Sequence, residues 1–213
     1  NKAIMKIDNR ETIALLIERI KRCKSLSSII LATSIDKSDD ILIEIAKREG
    51  VSYFRGSLDN ISSRFYNAAK EFNLDYIVRI TGDDILRDEK MIDKAIESHM
   101  NKSYDVTFTK NMPYGTSSEV FSFNVLEAII NTVNISKNTE YLEYYLGNNR
   151  YFSVNYVESN YEFNKNLRLT LDYEEDFKFL SLVFNHFYSN NPNFTIDDVL
   201  LWVGENQDLI EIN

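Results

Sequence analysis

The sequence predicts an α/β fold, a mixed and mostly parallel sheet flanked by helices, formed as a single domain over 1–213. Three observations carry this expectation. Segments of strand and helix pattern alternate from residue 11 to residue 96, the arrangement that builds parallel βαβ units. The stretch D-Y-I-V-R-I-T-G-D-D (75–84) passes from a short β-branched and aromatic run directly into a turn bearing two carboxylates, as a strand covered on both faces would. From 104 to 160 the pattern changes to short strands between helices, which predicts a mixed β segment; a homodimer contact is expected there.

Each element follows from local pattern. Ile13, Leu16, Ile17 and Ile20 recur at helical spacing and predict a first helix over 11–24. Residues 28–32 read as a buried strand and 33–39 as a polar turn. Ile41, Leu42, Ile45 and Ala46 then mark the inner face of a helix closed by Gly50. A second unit has its strand at 51–54, a turn at Arg55-Gly56-Ser57, and a helix marked by Ile61, Phe65, Ala68, Ala69 and Phe72. After the central strand (Tyr76, Ile77, Val78, Ile80) comes a helix with Asp88 as its N-cap and Met91, Ile92, Ala95 and Ile96 inside. Strands at 104–109, 118–123, 151–157 and 167–171 follow, with helices at 125–132 and 139–146. Two helices close the chain: 173–187, with Phe177, Leu180 and Phe184 inward, and one from Thr195, where T-I-D-D forms a capping box and Trp202 packs the helix down.

Composition excludes several classes. With 44% hydrophobic and 13% aromatic residues in 213, the chain can bury one good core. A formal charge of -9, with no run of basic residues interleaved with aromatics, opposes binding to a nucleic-acid backbone. One cysteine rules out an internal disulfide framework, and there is no secretory segment or apolar run of about 18 residues. A cytoplasmic protein without a membrane partner is expected. The six glycines form neither G-x-G-x-x-G nor a Walker loop.

Ligands of open α/β sheets lie beyond the carboxyl ends of the strands. Asp83 is therefore the first candidate ligand for a hard cation such as Mg²⁺, which takes one or two carboxylates and completes its shell with water and substrate phosphate. The same G-D-D also reads as an ordinary solvated turn. His99 and His186 lie on predicted helices without zinc spacing and read as structural. Cys23 reads as inert despite its basic neighbours. Arg19, Lys21, Arg22 and Lys24 read as the solvated face of a helix. Tyr141, Tyr144, Tyr145, Tyr151 and Phe152 read as core or interface packing.

V-R-I-T-G-D-D-I-L (78–86) resembles the corresponding stretch of cytidylyltransferases of the spore coat polysaccharide biosynthesis type, relatives of the enzymes that make CMP-activated keto-sugar acids. Matching stretches in the same order are I-I-L-A-T-S (29–34), Y-F-R-G-S-L-D-N-I-S-S-R-F-Y-N-A-A (53–69), S-E-V-F-S-F-N-V-L-E-A (118–128), Y-V-E-S (156–159), L-R-L-T-L-D-Y-E-E-D-F (167–177) and F-T-I-D-D-V-L (194–200). The resemblance implies a Rossmann-like nucleotide-diphospho-sugar transferase fold. It also implies an enzyme that joins CMP from CTP to an acidic or modified sugar, releases pyrophosphate, and serves surface glycan synthesis. It places Mg²⁺ on Asp83 and Asp172, with Lys2 as the last residue of a phosphate-binding loop. Ser34 would line the base pocket, and Arg55, Gly56, Ser57 and Arg64 would lie on the nucleotide side. Alternatives stand beside these roles. Asp172 also reads as an N-cap with Glu175 at N3, Ser57 or Asp59 as a helix cap, and Ser34 as turn chemistry.

The sequence also departs from the family pattern. Only the last two positions of the family's signature loop, roughly A-R-x-G-S-x-R-L-P-G-K, are present, as Asn1-Lys2, and the strand before it is absent. The expectation is that roughly 15 to 20 residues, a strand plus a loop, precede Asn1. Without them the sheet should hold a gap lined by unpaired backbone groups. Asp84 and Ile85 replace a small residue and proline, Tyr141 replaces histidine, and Thr116-Ser117-Ser118 stands where an acidic residue is common. Two rival readings are a glycosyltransferase of the related fold and a non-catalytic binding or assembly subunit.

Overall fold

The computed structural model describes residues 2–132, 142–147 and 150–212. After a short 3-10 turn at Lys2–Ile4, β1 (Lys6–Ile7) and β2 (Arg10–Glu11) form an antiparallel hairpin not foreseen in the sequence. Asp8 and Asn9 make its turn with φ of 48° and 62°, a left-handed pair that short polar residues tolerate. Strands of two residues have no periodicity to read. The hairpin leads into α1 (Thr12–Ile20), which ends before the expected Lys24.

The expected strand-helix alternation is present, but the sheet is divided. β3 (Ile30–Ser34) and β4 (Ser52–Gly56) pair in parallel through the crossover helix α2 (Asp40–Arg48). Helix α3 (Ile61–Glu71) then leads to β5 (Tyr76–Arg79). Rather than joining β3, β5 pairs antiparallel with β7 (Glu119–Ser122). The second sheet has the order β5-β7-β6-β8, with β6 (Val106–Lys110) antiparallel to β7 and parallel to β8 (Val154–Glu158). The sheet is thus mixed, as expected. Residues 167–171 correct the expected strand: they make only an isolated bridge, Tyr114 with Arg168. Leu167, Leu169 and Leu171 are buried, so their alternation records packing of an extended segment with no strand edge to pair with.

Helices cover both faces. One core unites α1, α2, the residues after β5 and α4 (Glu89–Asn101) with α7 (Glu174–Phe187) and α8 (Ile196–Glu205). The other lies across the sheet, between α3, β5, β6 and β7 and the helices α5 (Phe123–Thr132) and α6 (Leu142–Leu146). Successive β5 residues serve opposite faces, Ile77 in the second core and Val78 against the first. Tyr145 and Phe152 pack on the second core, Tyr151 is exposed, and Tyr141 lies outside the described residues. No helix among the described residues is long and apolar enough to cross a membrane.

Between β3 and β5 runs a cavity of about 630 Å³. Ile13 and Ile17 of α1 line one side, Ala68 and Ala69 of α3 another, and the strands themselves form its edges. Each of β3 and β5 has a strand partner on one edge only among the described residues. The cavity thus lies between two strand edges that have no strand partner among the described residues.

Arg19 corrects the reading of a solvated basic face: it is only 4% exposed. Its Nε donates to the Arg87 carbonyl (2.6 Å), an Nη to the Phe194 carbonyl (3.1 Å), and Glu89 lies 3.4 Å away. Burial holds its pKa down to about 10, against the opposing pull of Glu89. One side chain thus pins α1 to the start of α4 and the approach to α8. The two histidines are structural: His99 is buried 3.0 Å from Thr107 Oγ1, and His186 stacks on Trp202 at 4.4 Å. Burial pushes the Cys23 thiol up to about 12, which leaves it unreactive.

Two outcomes follow from these buried groups. Arg19→Ala leaves Glu89 short of its buried partner and should cost about 3 kcal/mol, read as a lowered midpoint in urea denaturation. Burial lowers the His99 pKa below 6.5, so protonation favours the unfolded chain. Stability should be full above pH 6.5 and fall as pH drops through the lower folded value; the same titration of His99→Gln should lack that decline.

Candidate functional site

The turn after β5 separates its two carboxylates. Asp84 points inward, where Thr81 Oγ1 donates to it (2.5 Å) together with Arg87. Burial raises its pKa despite the opposing charge of Arg87 and its hydrogen bonds. Asp83 is half-buried, and its carboxylate has no hydrogen-bond partner among the described residues. Its carbonyl accepts from the Leu171 amide at 3.0 Å, which brings Asp172 to the same place.

Asp172 does not cap α7, correcting that alternative. Tyr173 is the N-cap residue, and Asp176, not Glu175, accepts from the amides of Asp172 (2.8 Å) and Tyr173 (2.9 Å). Burial pulls the Asp176 pKa up, but Arg168 and these amides outweigh it and hold the carboxyl below its usual range. The Asp172 carboxylate is thereby released from capping. Its two oxygens meet Lys2 Nζ at 2.9 Å and Arg168 at 3.0 Å. Lys2 is itself anchored: its carbonyl accepts from Thr12 Oγ1 (2.7 Å) at the start of α1.

Arg168, Tyr114, Tyr173 and Gly115 were missed in the sequence. The Arg168 guanidinium lies over both tyrosine rings, 4.8 and 5.5 Å from their centroids, and binds Asp176 as well as Asp172. Its four-residue spacing from Asp172 was the available signal. Gly115 has φ +92°, and a Cβ there would stand 2.7 Å from the backbone of Leu169 and Thr170. Only glycine lets the 113–116 turn press against the segment that carries Asp172.

The nucleotide-side candidates form a second group at the ends of β3 and β4. Ser34 is buried; its hydroxyl donates to Asp39 (2.6 Å) and accepts from the Asp36 amide (3.1 Å), which assigns its side chain to the turn. Arg55 is committed to the same turn, binding the carbonyls of Ser34 (3.0 Å) and Asp36 (2.8 Å) and the Asp40 carboxylate (2.7 Å). Neither offers a ligand its side chain as it stands. A Cβ on Gly56 would fall 2.8 Å from the Phe54 ring and 3.0 Å from Arg64 Cγ, so this glycine is required by close approach. Ser57 accepts from the Asn60 amide, and Asn60 rather than Ser57 or Asp59 caps α3, through Ser63 N at 2.8 Å. Arg64 donates to the Ser57 carbonyl (2.9 Å), while its Nε is buried without a hydrogen-bond partner. Arg64 Nε is thus a buried donor left unsatisfied among the described residues.

Thr33, Gly82 and Ala3, chain neighbours of Ser34, Asp83 and Lys2, line the cavity between β3 and β5, while the candidate residues themselves lie outside its lining. Placement beyond strand carboxyl ends is where open α/β sheets hold ligands. No group of three or more potential metal-ligating side chains occurs among the described residues. Two carboxylates nevertheless fit a Mg²⁺ that takes the rest of its shell from phosphate and water.

The Cytidylyltransferase family profile matches residues 1–191. The chain belongs to the cytidylyltransferase family. It is 36% identical over 215 residues to an uncharacterised protein of Methanocaldococcus jannaschii, covering 100% of this chain and 88% of that one. It is 24% identical to a spore coat polysaccharide biosynthesis protein of Bacillus subtilis, covering 97% of this chain and 89% of that protein. A solved cytidylyltransferase of Leptospira borgpetersenii superposes with a TM-score of 0.91 at 26% identity, over 98% of this chain and 89% of its own. The expected fold is thus present, and membership supports a nucleotidyltransferase.

Gly115→Ala forces a positive-φ position and a backbone clash next to Asp172. It should lower stability by about 1–3 kcal/mol in thermal or urea unfolding, whereas Gly204→Ala, with open space at its Cβ, should not.

Proposed function

We propose that this chain transfers CMP from CTP to an acidic or otherwise modified sugar, releasing pyrophosphate, in the cytoplasmic synthesis of a surface glycan. The observation that carries this reading is the Asp83 carboxylate after β5, without a hydrogen-bond partner among the described residues and tied through its carbonyl to the residue before Asp172, in a chain of the cytidylyltransferase family. The spore coat relative supports the glycan role.

In the reaction a sugar oxygen attacks the α-phosphorus in line, and the bond from that phosphorus to the bridging oxygen breaks. Pyrophosphate leaves with the electron pair, and the proton of the sugar hydroxyl passes to solvent water or to the departing pyrophosphate. A Mg²⁺ on Asp83 and Asp172 would neutralise charge on the transferring phosphoryl group. Asp83 is suited to the ligand role because no donor among the described residues binds its carboxylate. Asp172 is oriented by its ion pairs with Lys2 and Arg168. The Lys2 ammonium, 2.9 Å from Asp172, adds a cation that an incoming phosphate can share. Arg64 supplies an unsatisfied donor on the nucleotide side. With these groups fixed, positioning and charge stabilisation carry the rate.

Incubation with CTP, Mg²⁺ and a panel of sugar acids, followed by pyrophosphate release, tests this reading. Release should depend on CTP over UTP and ATP, and chelation of the metal should abolish it. Asp83→Asn should slow turnover at least about a hundredfold, the equivalent of losing a few kcal/mol of charge stabilisation. Transfer from a preformed nucleotide-sugar instead would establish a glycosyltransferase. Failure to bind any nucleotide would establish a non-catalytic subunit.

A further inference from the structure

We infer that the Tyr173 ring is the surface on which the acceptor sugar stacks, with Arg168 and Tyr114 behind it as its support. This rests on the reaction proposed above and names the residue that selects its acceptor.

Exposure is the first observation. Tyr173 is 68% exposed and Tyr114 is 59% exposed, although an aromatic side chain packed into a fold buries most of its ring. Each ring turns toward the Arg168 guanidinium, and the greater part of its surface stands in water. Tyr173 follows Asp172 directly in the chain, so a molecule on its open surface lies beside a carboxylate proposed to hold the metal. Such a ring is amphipathic, apolar across its face and polar at its hydroxyl.

The ring is also held in place. Tyr173 N donates to Asp176 Oδ2 (2.9 Å) and its carbonyl accepts from the Phe177 amide (3.2 Å), which fixes its backbone at the start of α7. The Arg168 guanidinium lies 5.5 Å from the ring centroid and is fastened in turn to Asp176 (3.2 Å) and Asp172 (3.0 Å). Tyr114 backs the same guanidinium at 4.8 Å, and the Leu169 amide pins the Tyr114 carbonyl at 2.7 Å. A side chain already immobilised loses little freedom when a ligand settles on it.

The chemistry of the ring selects the partner. A sugar in its cyclic form has a face of C–H groups that lies flat on an aromatic ring, while its hydroxyls point to the rim. A neutral ring also admits an anionic sugar where another carboxylate would repel it. The other flat partner in the reaction is the nucleobase. The base-side candidates Ser34, Arg55 and Arg64 stand on β3, β4 and α3, however, whereas the Tyr114–Arg168 bridge ties the segment before Tyr173 to the turn between β6 and β7.

The test compares the unmodified chain with Tyr173→Leu and Tyr173→Phe, using CTP, Mg²⁺ and sugar acids with pyrophosphate release as the readout. Tyr173→Leu should raise the KM for the sugar about tenfold, the loss expected for an aromatic contact, and leave the KM for CTP unchanged. Tyr173→Phe keeps the ring and should restore most of the lost affinity. A fall in kcat with the sugar KM unchanged would mean that the ring acts only through Arg168 on Asp172, and would overturn the inference. A raised KM for CTP would overturn it equally. A second measurement needs no turnover. The ring signals of carbon-13-labelled tyrosine, with Tyr173 assigned by its loss in Tyr173→Phe, are followed as glucuronic acid and 2-keto-3-deoxy sugar acids are added to the unmodified chain. Mg²⁺ and a CTP analogue with a methylene bridge between the α- and β-phosphates are present throughout. The Tyr173 signal should shift with at least one sugar acid. A signal that moves with none overturns the inference even where pyrophosphate release establishes the reaction. A shift without pyrophosphate release from any sugar acid supports the stacking site and overturns the proposed reaction instead.

Discussion

The hydrogen bond from the Leu171 amide to the Asp83 carbonyl turns two loop carboxylates into one site. Residues 167–171 have no ladder to hold them, so their position depends on a few discrete contacts. Leu169 N bonds the Tyr114 carbonyl at 2.7 Å, Gly115 lies against the same backbone without a side chain, and buried leucines fasten the segment to the core. The chain's start depends on the same region, because Lys2 reaches Asp172 while α1 holds its carbonyl.

The acidic residues around the site divide in pairs, one member structural and the other available for chemistry. Asp84 is buried against Arg87 and Thr81, which leaves Asp83 open. Asp176 takes the cap amides and one side of Arg168, which leaves Asp172 open to Lys2 and to the other side of Arg168. In each pair the inner carboxylate fixes the backbone that aims the outer one. Arg87 pairs with the inner carboxylate of the first pair, and Arg168 bridges both members of the second.

The layers of the fold were legible because burial leaves a period in the sequence. The helical spacing of Ile13, Leu16, Ile17 and Ile20, the caps at Asp88 and Thr195, and the apolar run ending at Gly82 were all readable and are all present. Other features were hidden for definite physical reasons. The Lys6–Glu11 hairpin is too short to have a period. The alternation of Leu167, Leu169 and Leu171 records burial and is silent on hydrogen bonding, so a strand and an extended packed segment look alike. Arg19 sits among basic residues in sequence, and only the fold shows that it alone turns inward to two carbonyls. At the candidate site, Asp83 was singled out by its place after a buried strand and Asp172 through the resemblance. Arg168 and Gly115 were not, since each acts through a contact distant in sequence.

The position of the site relative to the cavity between β3 and β5 has a consequence for the whole molecule. The β3 turn is already rigid, since Arg55, Asp39 and Ser34 saturate one another. The β5 turn is equally fixed by Asp84, Arg87 and the Leu171 bond. Each is anchored to a different piece of the divided sheet, however, and among the described residues no strand pairs with both. Their separation is therefore set by helix packing across the cavity, a softer constraint than a hydrogen-bonded ladder.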